Sequence, residues 1–317
     1  MSLARRIAYV DKPVSAIFFG TMLLGGGEDK GELLDQALAL GVNAFDCAKV
    51  YGEAEASLGR WMKDRGVRDR VVVLTKGAHH SEKRKRVTPA DIRQDFGESQ
   101  ERLQSDYVDI YLLHRDDPDV EVGPIVEVLN ELRKAGKVGA FGGSNWTHRR
   151  IAEANAYAAA HGLVPFAASS PNFGLARQSG DPWGPGCVSL SGPDQEDARS
   201  WYQQTRMPVI AYSSLGRGLF SGGFKANEPE KAKDYMDDAA MRGYWCEDNL
   251  ERLRRAEALA RQKGVTVPQV AMAWIMRQPL EVFAICTTPE IGMLRQNLDA
   301  LDIALSQQEL DHLDLKS

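Results

Sequence analysis

The sequence contains no long apolar segment. None of its hydrophobic runs reaches the roughly 18 consecutive residues that a membrane-spanning helix needs. The first residues, Met1 to Arg6, include an arginine pair but no apolar run after it, so we predict no signal peptide. We therefore expect a cytoplasmic protein without a membrane partner.

Cysteine is scarce, and its spacing is uninformative. The four cysteines, Cys47, Cys187, Cys246 and Cys286, form no CxxC pair, which favours reduced thiols over a disulfide framework. Two short histidine motifs, His79-His80 and His114-Arg115-Asp116, have no companion ligands at the usual metal-site spacing. We predict no bound metal and keep a metal-dependent barrel hydrolase or isomerase as an alternative.

Positive charge is not in excess. The chain has 39 Lys and Arg against 44 Asp and Glu, a net charge of −5 and a pI of about 5.8. Such a balance argues against nucleic acid as a partner. The hydrophobic content of 43% is ample for a large core, and we predict a single domain over residues 1–317.

Short apolar segments alternate with segments of helical periodicity. The predicted strands are 15–21, 43–46, 71–75, 108–113, 138–142, 165–169, 208–212 and 282–286. The predicted helices are 32–40, 54–64, 89–103, 124–135, 148–161, 249–263, 267–277, 290–300 and 306–315. The strands are continuously apolar, as expected when both faces of a parallel sheet are buried. Eight such units predict an α/β fold, a (β/α)8 TIM barrel.

A doubly wound open sheet is the alternative. That fold needs a glycine-rich phosphate turn, and Gly25-Gly26-Gly27 lacks the GxGxxG spacing. Two insertions, 172–194 and 213–247, follow predicted strand ends. In a barrel this is the face that carries the active site, so we predict extended loops at the C-terminal face.

Three consecutive predicted strands end in a reactive side chain. Asp46, Lys76 and His114 occupy these ends, and Tyr51 follows in the loop after Asp46. A free phenol has a pKa of about 10, and a nearby ammonium lowers it, so Tyr51 beside Lys76 suits a proton donor. Asp46 would hold the ammonium, and His114 could bind a substrate oxygen. Each residue alone has an ordinary structural explanation, but three consecutive strand ends favour a functional site.

The segment 41–52, together with Glu55, Leu58 and Gly59, resembles the signature of the aldo-keto reductase superfamily. Further similarities at 112–114, 136–145 and 211–218 extend the resemblance over almost the whole chain. The resemblance implies a barrel that binds NADPH or NADH and reduces an aldehyde or ketone. It implies that Tyr51 is the general acid, that Asp46 and Lys76 tune it, and that His114 orients the carbonyl.

The resemblance also implies a cofactor site. Its predicted residues are Thr21, Asp46, Ser144, Asn145, Ser170, Tyr212, Ser213, Leu215, Arg217, Thr287, Gln296 and Asn297. Three positions depart from the family pattern. Ser170 stands where a glutamine is usual, Thr287-Thr288 where a Lys-Ser or Gly-Thr pair is common, and Met293 where an arginine often binds the 2′-phosphate. Methionine cannot replace arginine as a phosphate ligand, so we predict that NADH as well as NADPH can serve as the cofactor.

The substrate is a small carbonyl compound on this interpretation. His79, Arg115, Trp146 and Trp183 are the candidate substrate contacts, and we predict a polar carbonyl such as a sugar or small hydroxy-carbonyl. Within the family, the sequence is most similar to the bacterial branch related to potassium-channel β subunits and aryl-alcohol dehydrogenases. A regulatory subunit that keeps the cofactor with little turnover is therefore the alternative function.

Overall fold

Eight parallel strands close into a barrel in the computed structural model, which describes residues 2–316. The barrel strands are β3 (Ile17–Gly20), β4 (Ala44–Asp46), β5 (Val72–Gly77), β6 (Val108–Leu113), β7 (Val138–Ser144), β8 (Ala168–Ser170), β9 (Val209–Ala211) and β10 (Val282–Cys286). They pair in chain order, and β10 closes the ring on β3. The predicted (β/α)8 barrel is confirmed.

Helices surround this barrel. They are α1 (Gly31–Ala39), α2 (Ala54–Arg65), α3 (Pro89–Leu103), α4 (Val122–Lys134), α5 (His148–Ala160), α6 (Glu196–Thr205), α7 (Asp238–Tyr244), α8 (Glu247–Lys263), α9 (Val267–Met276), α10 (Ile291–Asp299) and α11 (Gln307–Leu313). The nine predicted helices agree with the structure to within about two residues at each end, the usual uncertainty of helix boundaries. Helices α6 and α7 were not predicted.

Local sequence explains several helix boundaries. The side chain of Thr88 accepts a hydrogen bond from the backbone N–H of Asp91, and Pro89 takes the first helical position of α3. Helix α2 ends at Gly66, whose φ of 61° is the left-handed conformation that glycine adopts without steric cost. These signals were readable because they involve residues close together in the chain.

The alternation of side chains along each strand builds two cores. Phe18, Leu74 and Ile110 point into the barrel, where they pack against residues of the opposite strands. Phe19 and Tyr111, from the intervening positions, pack between the strands and the helices. Because both strand faces are buried, the strands have no polar face, which is why they were recognisable as continuous apolar runs.

A short hairpin covers the amino-terminal end of the barrel. Strands β1 (Ala4–Arg5) and β2 (Val14–Ser15) pair antiparallel, and Ile7 and Val10 between them pack against the barrel interior. The hairpin was not predicted, because two-residue strands carry no readable periodicity. It closes the end of the barrel opposite the strand C-termini.

The loops at the C-terminal face are long, as predicted. Residues 172–194 follow β8, and residues 213–247 follow β9 and include α7. Of the helices described within residues 2–316, none is long and apolar enough to cross a membrane.

Candidate active site

Strand register brings the predicted reactive residues to one mouth of the barrel. Asp46 at the end of β4 lies beside Leu74 of β5, and Lys76 of β5 lies beside Leu112 of β6. His114 follows β6 directly, with its backbone N–H bonded to the carbonyl of Gly77 at 2.7 Å. Parallel strands present their C-terminal ends at one face, so these side chains converge.

Asp46 and Lys76 form a buried ion pair. The ammonium of Lys76 donates a hydrogen bond to Oδ1 of Asp46 and another to the carbonyl of Cys47 at 3.0 Å. The two side chains are 5% and 3% exposed, respectively, so water screens their attraction very little. Burial is the largest single influence and lowers the pKa of Lys76, but Asp46, Tyr51 and Cys47 together raise it, so the pKa lies above its usual value. Lys76 is therefore a fixed positive charge.

Tyr51 lies beside this charge. The ammonium nitrogen of Lys76 is 5.3 Å from the centroid of the Tyr51 ring. Burial raises the pKa of Tyr51 and Lys76 lowers it, with burial the larger influence, so the pKa is above 10. The predicted direction of the Lys76 effect is correct, but the expected net decrease in the pKa is not found, because desolvation disfavours the phenolate more.

His114 is a neutral side chain facing Tyr51. Its ring meets that of Tyr51 edge to face, with centroids 5.9 Å apart, and meets His79 in the same manner at 4.9 Å. Burial lowers the pKa of His114 well below its usual value, and Lys76 adds to this. Within residues 2–316, its buried Nδ1 has no hydrogen-bond partner. The imidazole is thus placed to bind a small molecule rather than to carry charge.

These groups lie in a cavity of about 810 Å³ at the C-terminal face. The sequence-predicted residues that line it are Asp46, Tyr51, Lys76, His79, His114, Arg115, Ser144, Asn145, Trp183, Tyr212, Ser213, Leu215, Arg217, Thr287, Gln296 and Asn297. The cavity therefore extends from the reactive residues near β4, β5 and β6 to the loops after β9 and β10.

Three predicted residues lie behind the cavity wall instead of in it. Thr21 donates its hydroxyl to the carbonyl of Asp46 at 2.9 Å, and the carbonyl of Ser170 accepts the hydroxyl of Ser144 at 2.8 Å. Trp146 is fully buried, and its indole N–H donates to the carbonyl of Arg115 at 3.1 Å. Each of the three hydrogen-bonds a neighbour that lines the cavity, and their assignment to the site stays a prediction. Burial of an aromatic side chain next to a strand end depends on tertiary packing, which the sequence does not display.

Asn145 joins several loops of the site. Its Oδ1 accepts hydrogen bonds from the Tyr212 hydroxyl at 2.7 Å and from the backbone N–H of Val188 at 3.1 Å. Its Nδ2 donates to the carbonyl of His114 at 3.3 Å. The backbone φ of 59° at Asn145 is a left-handed conformation that asparagine tolerates better than most residues. The contacts fix the ends of β6, β7 and β9 relative to the first insertion.

Arg217 links the two insertions across the cavity. Its guanidinium pairs with Asp237, with Nε 2.9 Å from Oδ1, and lies 5.2 Å from the centroid of the Trp183 ring. The ring of Trp183 in turn meets Tyr212 edge to face at 5.6 Å. Asp237 is also the N-cap of α7. Its carboxylate therefore contacts both Arg217 and the start of α7, which holds the loop after β9 in place.

Several lining residues were not assigned to the site from the sequence. They are Met22, Val50, Ser214, Gly218, Ser221, Pro268, Ile285, Cys286, Thr288 and Pro289. Most follow β3, β9 or β10, and proximity to a strand end was the available signal. The hydroxyl of Thr288 is buried and has no hydrogen-bond partner among the described residues, so it is free to bind a ligand.

The histidine pair follows β5 at the cavity rim. The Nδ1 atom of His79 lies 2.9 Å from the carbonyl of His80, and Nε2 of His80 lies 3.1 Å from the carbonyl of Asp116. Over residues 2–316, no three His, Cys, Asp or Glu side chains come together in a way that could hold a metal ion.

Comparison with known proteins agrees with this architecture. Residues 16–317 match the model of the aldo/keto reductase family, and the chain belongs to that family. The chain is thus an oxidoreductase by class, of a family that uses NAD(P)H to reduce carbonyl compounds.

Two fungal reductases are similar over most of their length. Aldo-keto reductase str7 of Strobilurus tenacellus is 28% identical, over 94% of this chain and 87% of the relative. Norsolorinic acid reductase of Aspergillus flavus is 25% identical, over 95% of this chain and 77% of the relative. Neither shows the predicted branch within the family, which stays a prediction.

A solved structure has the same fold. It is a thermostable aldo-keto reductase in complex with the inhibitor epalrestat, and it superposes with a TM-score of 0.74 over 100% of both chains. At 22% identity, the similarity shows the fold alone.

Proposed function

We propose that the protein reduces an aldehyde or ketone to the alcohol with NADPH or NADH, using Tyr51 as the proton donor. The observation that carries the proposal is the buried Asp46–Lys76 ion pair beside Tyr51 and His114, at the base of a cavity large enough for cofactor and substrate. Family membership supports carbonyl reduction in general; the roles of individual residues are our assignment.

Each of the four residues has a separate task in this mechanism. The neutral imidazole of His114 hydrogen-bonds the carbonyl oxygen and directs it toward the Tyr51 hydroxyl. As negative charge develops on that oxygen, Tyr51 gives it a proton, and the ammonium of Lys76 stabilises the phenolate that remains. Asp46 keeps Lys76 charged and in place. A reduced nicotinamide held in the cavity would supply the hydride to the carbonyl carbon.

The cavity residues fit a nicotinamide cofactor. The Tyr212 ring and the side chains of Ser144 and Asn145 line the wall next to the reactive residues, where they would hold the nicotinamide and its carboxamide. Ser213, Leu215 and Arg217 line the cavity after β9 and would hold the pyrophosphate. The unpartnered hydroxyl of Thr288 offers a further hydrogen bond on the β10 side. We assign Thr287, Gln296 and Asn297 to the adenosine end.

The adenosine end lacks a cation for a 2′-phosphate. Within the described chain, the cavity residues contributed after β10 include no lysine or arginine, and Met293 lines the wall there, 46% exposed. Arg295 is exposed and does not line the cavity. We therefore propose that NADH is a competent cofactor and that NADPH has no strong advantage.

The substrate is a polar carbonyl compound on this proposal. His79 and Arg115 add polar groups beside His114, and Trp183 offers an exposed ring at the mouth. Sugars and small hydroxy-carbonyls suit such a pocket, because a ring face can pack on Trp183 while hydroxyl groups bind the polar side chains.

Cofactor binding is the first test. Tryptophan fluorescence of the apo protein is titrated with NADH and NADPH, followed by a screen of aldehydes for oxidation of the bound cofactor. We expect both nucleotides to quench the fluorescence. Their affinities should agree within about tenfold, because in the described chain no arginine at the adenosine end can bind the 2′-phosphate of NADPH. Absence of binding by either would overturn the proposal. Tight binding with negligible turnover on every aldehyde would favour the regulatory alternative.

A further inference from the structure

The cavity holds one arginine whose charge is not neutralised. Three strong cations line it: Lys76, Arg115 and Arg217. Lys76 pairs with Asp46 and Arg217 pairs with Asp237. In the part of the chain that the structure describes, Arg115 makes no ion pair.

The surroundings of Arg115 offer only a weak partner. The residue is 5% exposed, and Nη1 donates a hydrogen bond to the Cys187 thiol at 3.4 Å. A thiol sulfur is a poor acceptor for a guanidinium. The two carboxylates that follow in sequence are already engaged: Asp116 with Arg150 and Asp117 with Lys85.

A buried guanidinium in this state favours binding of an anion. A guanidinium stays charged in proteins, and burying that charge without a counter-ion costs folding free energy. The positive field of Arg115 also adds to burial in lowering the pKa of His79 and His114, so both imidazoles stay neutral. The only carboxylate on the cavity wall among residues 2–316 is Asp46, which is bound to Lys76. An anionic ligand would meet no opposing free charge at Arg115.

Arg115 and the proposed pyrophosphate residues follow different strands of the barrel that are not neighbours. Arg115 follows β6, whereas the proposed phosphate residues follow β9 and β10. In the ring order, β7 and β8 separate β6 from β9 on the shorter side, and three strands separate β6 from β10 on either side. An anion at Arg115 would thus lie at a different strand end from the proposed pyrophosphate site, next to His114.

We propose that Arg115 binds a carboxylate of the substrate, so that the enzyme reduces aldehydes or ketones that carry a carboxylate group. The planar guanidinium suits a carboxylate, which it can bind through two parallel hydrogen bonds. Arg115 directly follows His114, so one small molecule can place its carbonyl at His114 and its carboxylate at Arg115. The proposal rests on the proposed reductase function and narrows its substrate class.

A matched pair of substrates tests the proposal. The pair is 4-carboxybenzaldehyde and methyl 4-formylbenzoate, which share the aldehyde and ring but differ in charge. The readout is the ratio of kcat/KM for the acid over the ester. We expect the acid to be favoured in the wild type and the ratio to fall by about 10- to 100-fold in Arg115→Gln, the size of a lost charge-assisted hydrogen bond.

Two further variants separate charge from structure. Arg115→Lys keeps the charge and should retain part of the preference. Cys187→Ser keeps the guanidinium and replaces its thiol partner, so the ratio should stay near the wild-type value. A wild type that reduces the ester as well as the acid, or a ratio unchanged in Arg115→Gln, would overturn the proposal. So would a Cys187→Ser variant that loses the preference as fully as Arg115→Gln.

A binding measurement separates this proposal from the proposed function. Calorimetry follows 4-(hydroxymethyl)benzoate and its methyl ester binding to the protein without turnover. If the aldehydes are not reduced at all, the reductase function fails, yet selective binding of the acid, lost in Arg115→Gln, would still support an anion site at Arg115. Equal binding of acid and ester in the wild type would overturn that site whatever the activity.

Discussion

The ammonium nitrogen of Lys76 lies 5.3 Å from the centroid of the Tyr51 ring, while its own charge is held by Asp46. A phenolate at Tyr51 would thus form beside a fixed cation whose side chain is almost fully buried. Burial keeps the phenol protonated at rest, and Lys76 lowers the cost of giving up the proton. This balance suits a group that must hold a proton until a substrate oxygen takes it.

Tyr51→Phe removes only the proton donor. We expect kcat for carbonyl reduction to fall by about 10²- to 10⁴-fold, the contribution of a positioned general acid, because the ring is kept and the hydroxyl is lost. Cofactor affinity, measured by fluorescence titration, should change little. Tyr202→Phe is the matched control, since its buried hydroxyl bonds Ser169 and does not line the cavity. Full turnover in Tyr51→Phe would refute the role assigned to this residue.

Lys76→Met leaves Asp46 as a buried carboxylate without its partner. Breaking a buried ion pair from one side costs about 3–5 kcal/mol, so the free energy of unfolding should fall by that order. The double variant Asp46→Asn with Lys76→Met removes both charges and should be more stable than Lys76→Met alone. Urea denaturation measures both. A double variant less stable than the single would show that contacts other than the ion pair dominate at this position.

The pH profile of kcat/KM follows from two pKa shifts. Tyr51 must be protonated to act, and its raised pKa keeps it so through neutral pH, with activity lost only as pH rises through that value. The lowered pKa of His114 keeps this residue neutral, so the profile should show no break near the usual histidine value of about 6.5. A rate that changes through one proton near pH 6.5 and loses this change in His114→Gln would contradict the assignment.

Met293→Arg supplies the cation that the adenosine end lacks. We expect NADPH to bind about tenfold more tightly, since a new charge-assisted hydrogen bond contributes about 1.5–3 kcal/mol at best, with little change for NADH. Fluorescence titration of both nucleotides gives the ratio. Arg295→Gln is the companion variant: because Arg295 does not line the cavity, NADPH binding should be unaffected. A selective loss of NADPH affinity in Arg295→Gln would make Arg295 the phosphate ligand instead.

The sequence predicted the barrel because parallel, doubly buried strands have a distinctive pattern. Asp46, Lys76 and His114 were recognisable for the same reason: each closes such a strand, and strand ends meet at one face. The hairpin at 4–15 and helix α7 escaped prediction, since two-residue strands and a seven-residue helix inside a loop carry too little periodicity. The single-domain interpretation of residues 1–317 stays a prediction.

Features that depend on distant neighbours were not readable from the sequence. The full burial of Trp146, the raised pKa of Tyr51 and the absence of an ion pair at Arg115 within residues 2–316 all arise from packing between loops far apart in the chain. Arg115 was named as a substrate contact from its place beside His114. The structure adds that the neighbouring carboxylates, Asp116 and Asp117, pair with other residues and leave Arg115 without a counter-ion among the described residues. That observation is what indicates an anionic group on the substrate.

The hairpin formed by β1 and β2 affects how ligands can enter and leave the barrel. Ile7, Val10 and Val14 fill the amino-terminal end of the barrel, so the residues described, 2–316, leave no opening at that end. Two ligands that share the cavity would therefore enter and leave at the C-terminal face of the barrel. If one ligand covers the other on that face, the covered ligand would leave second, and slow dissociation of the outer ligand would then limit the release of the inner one.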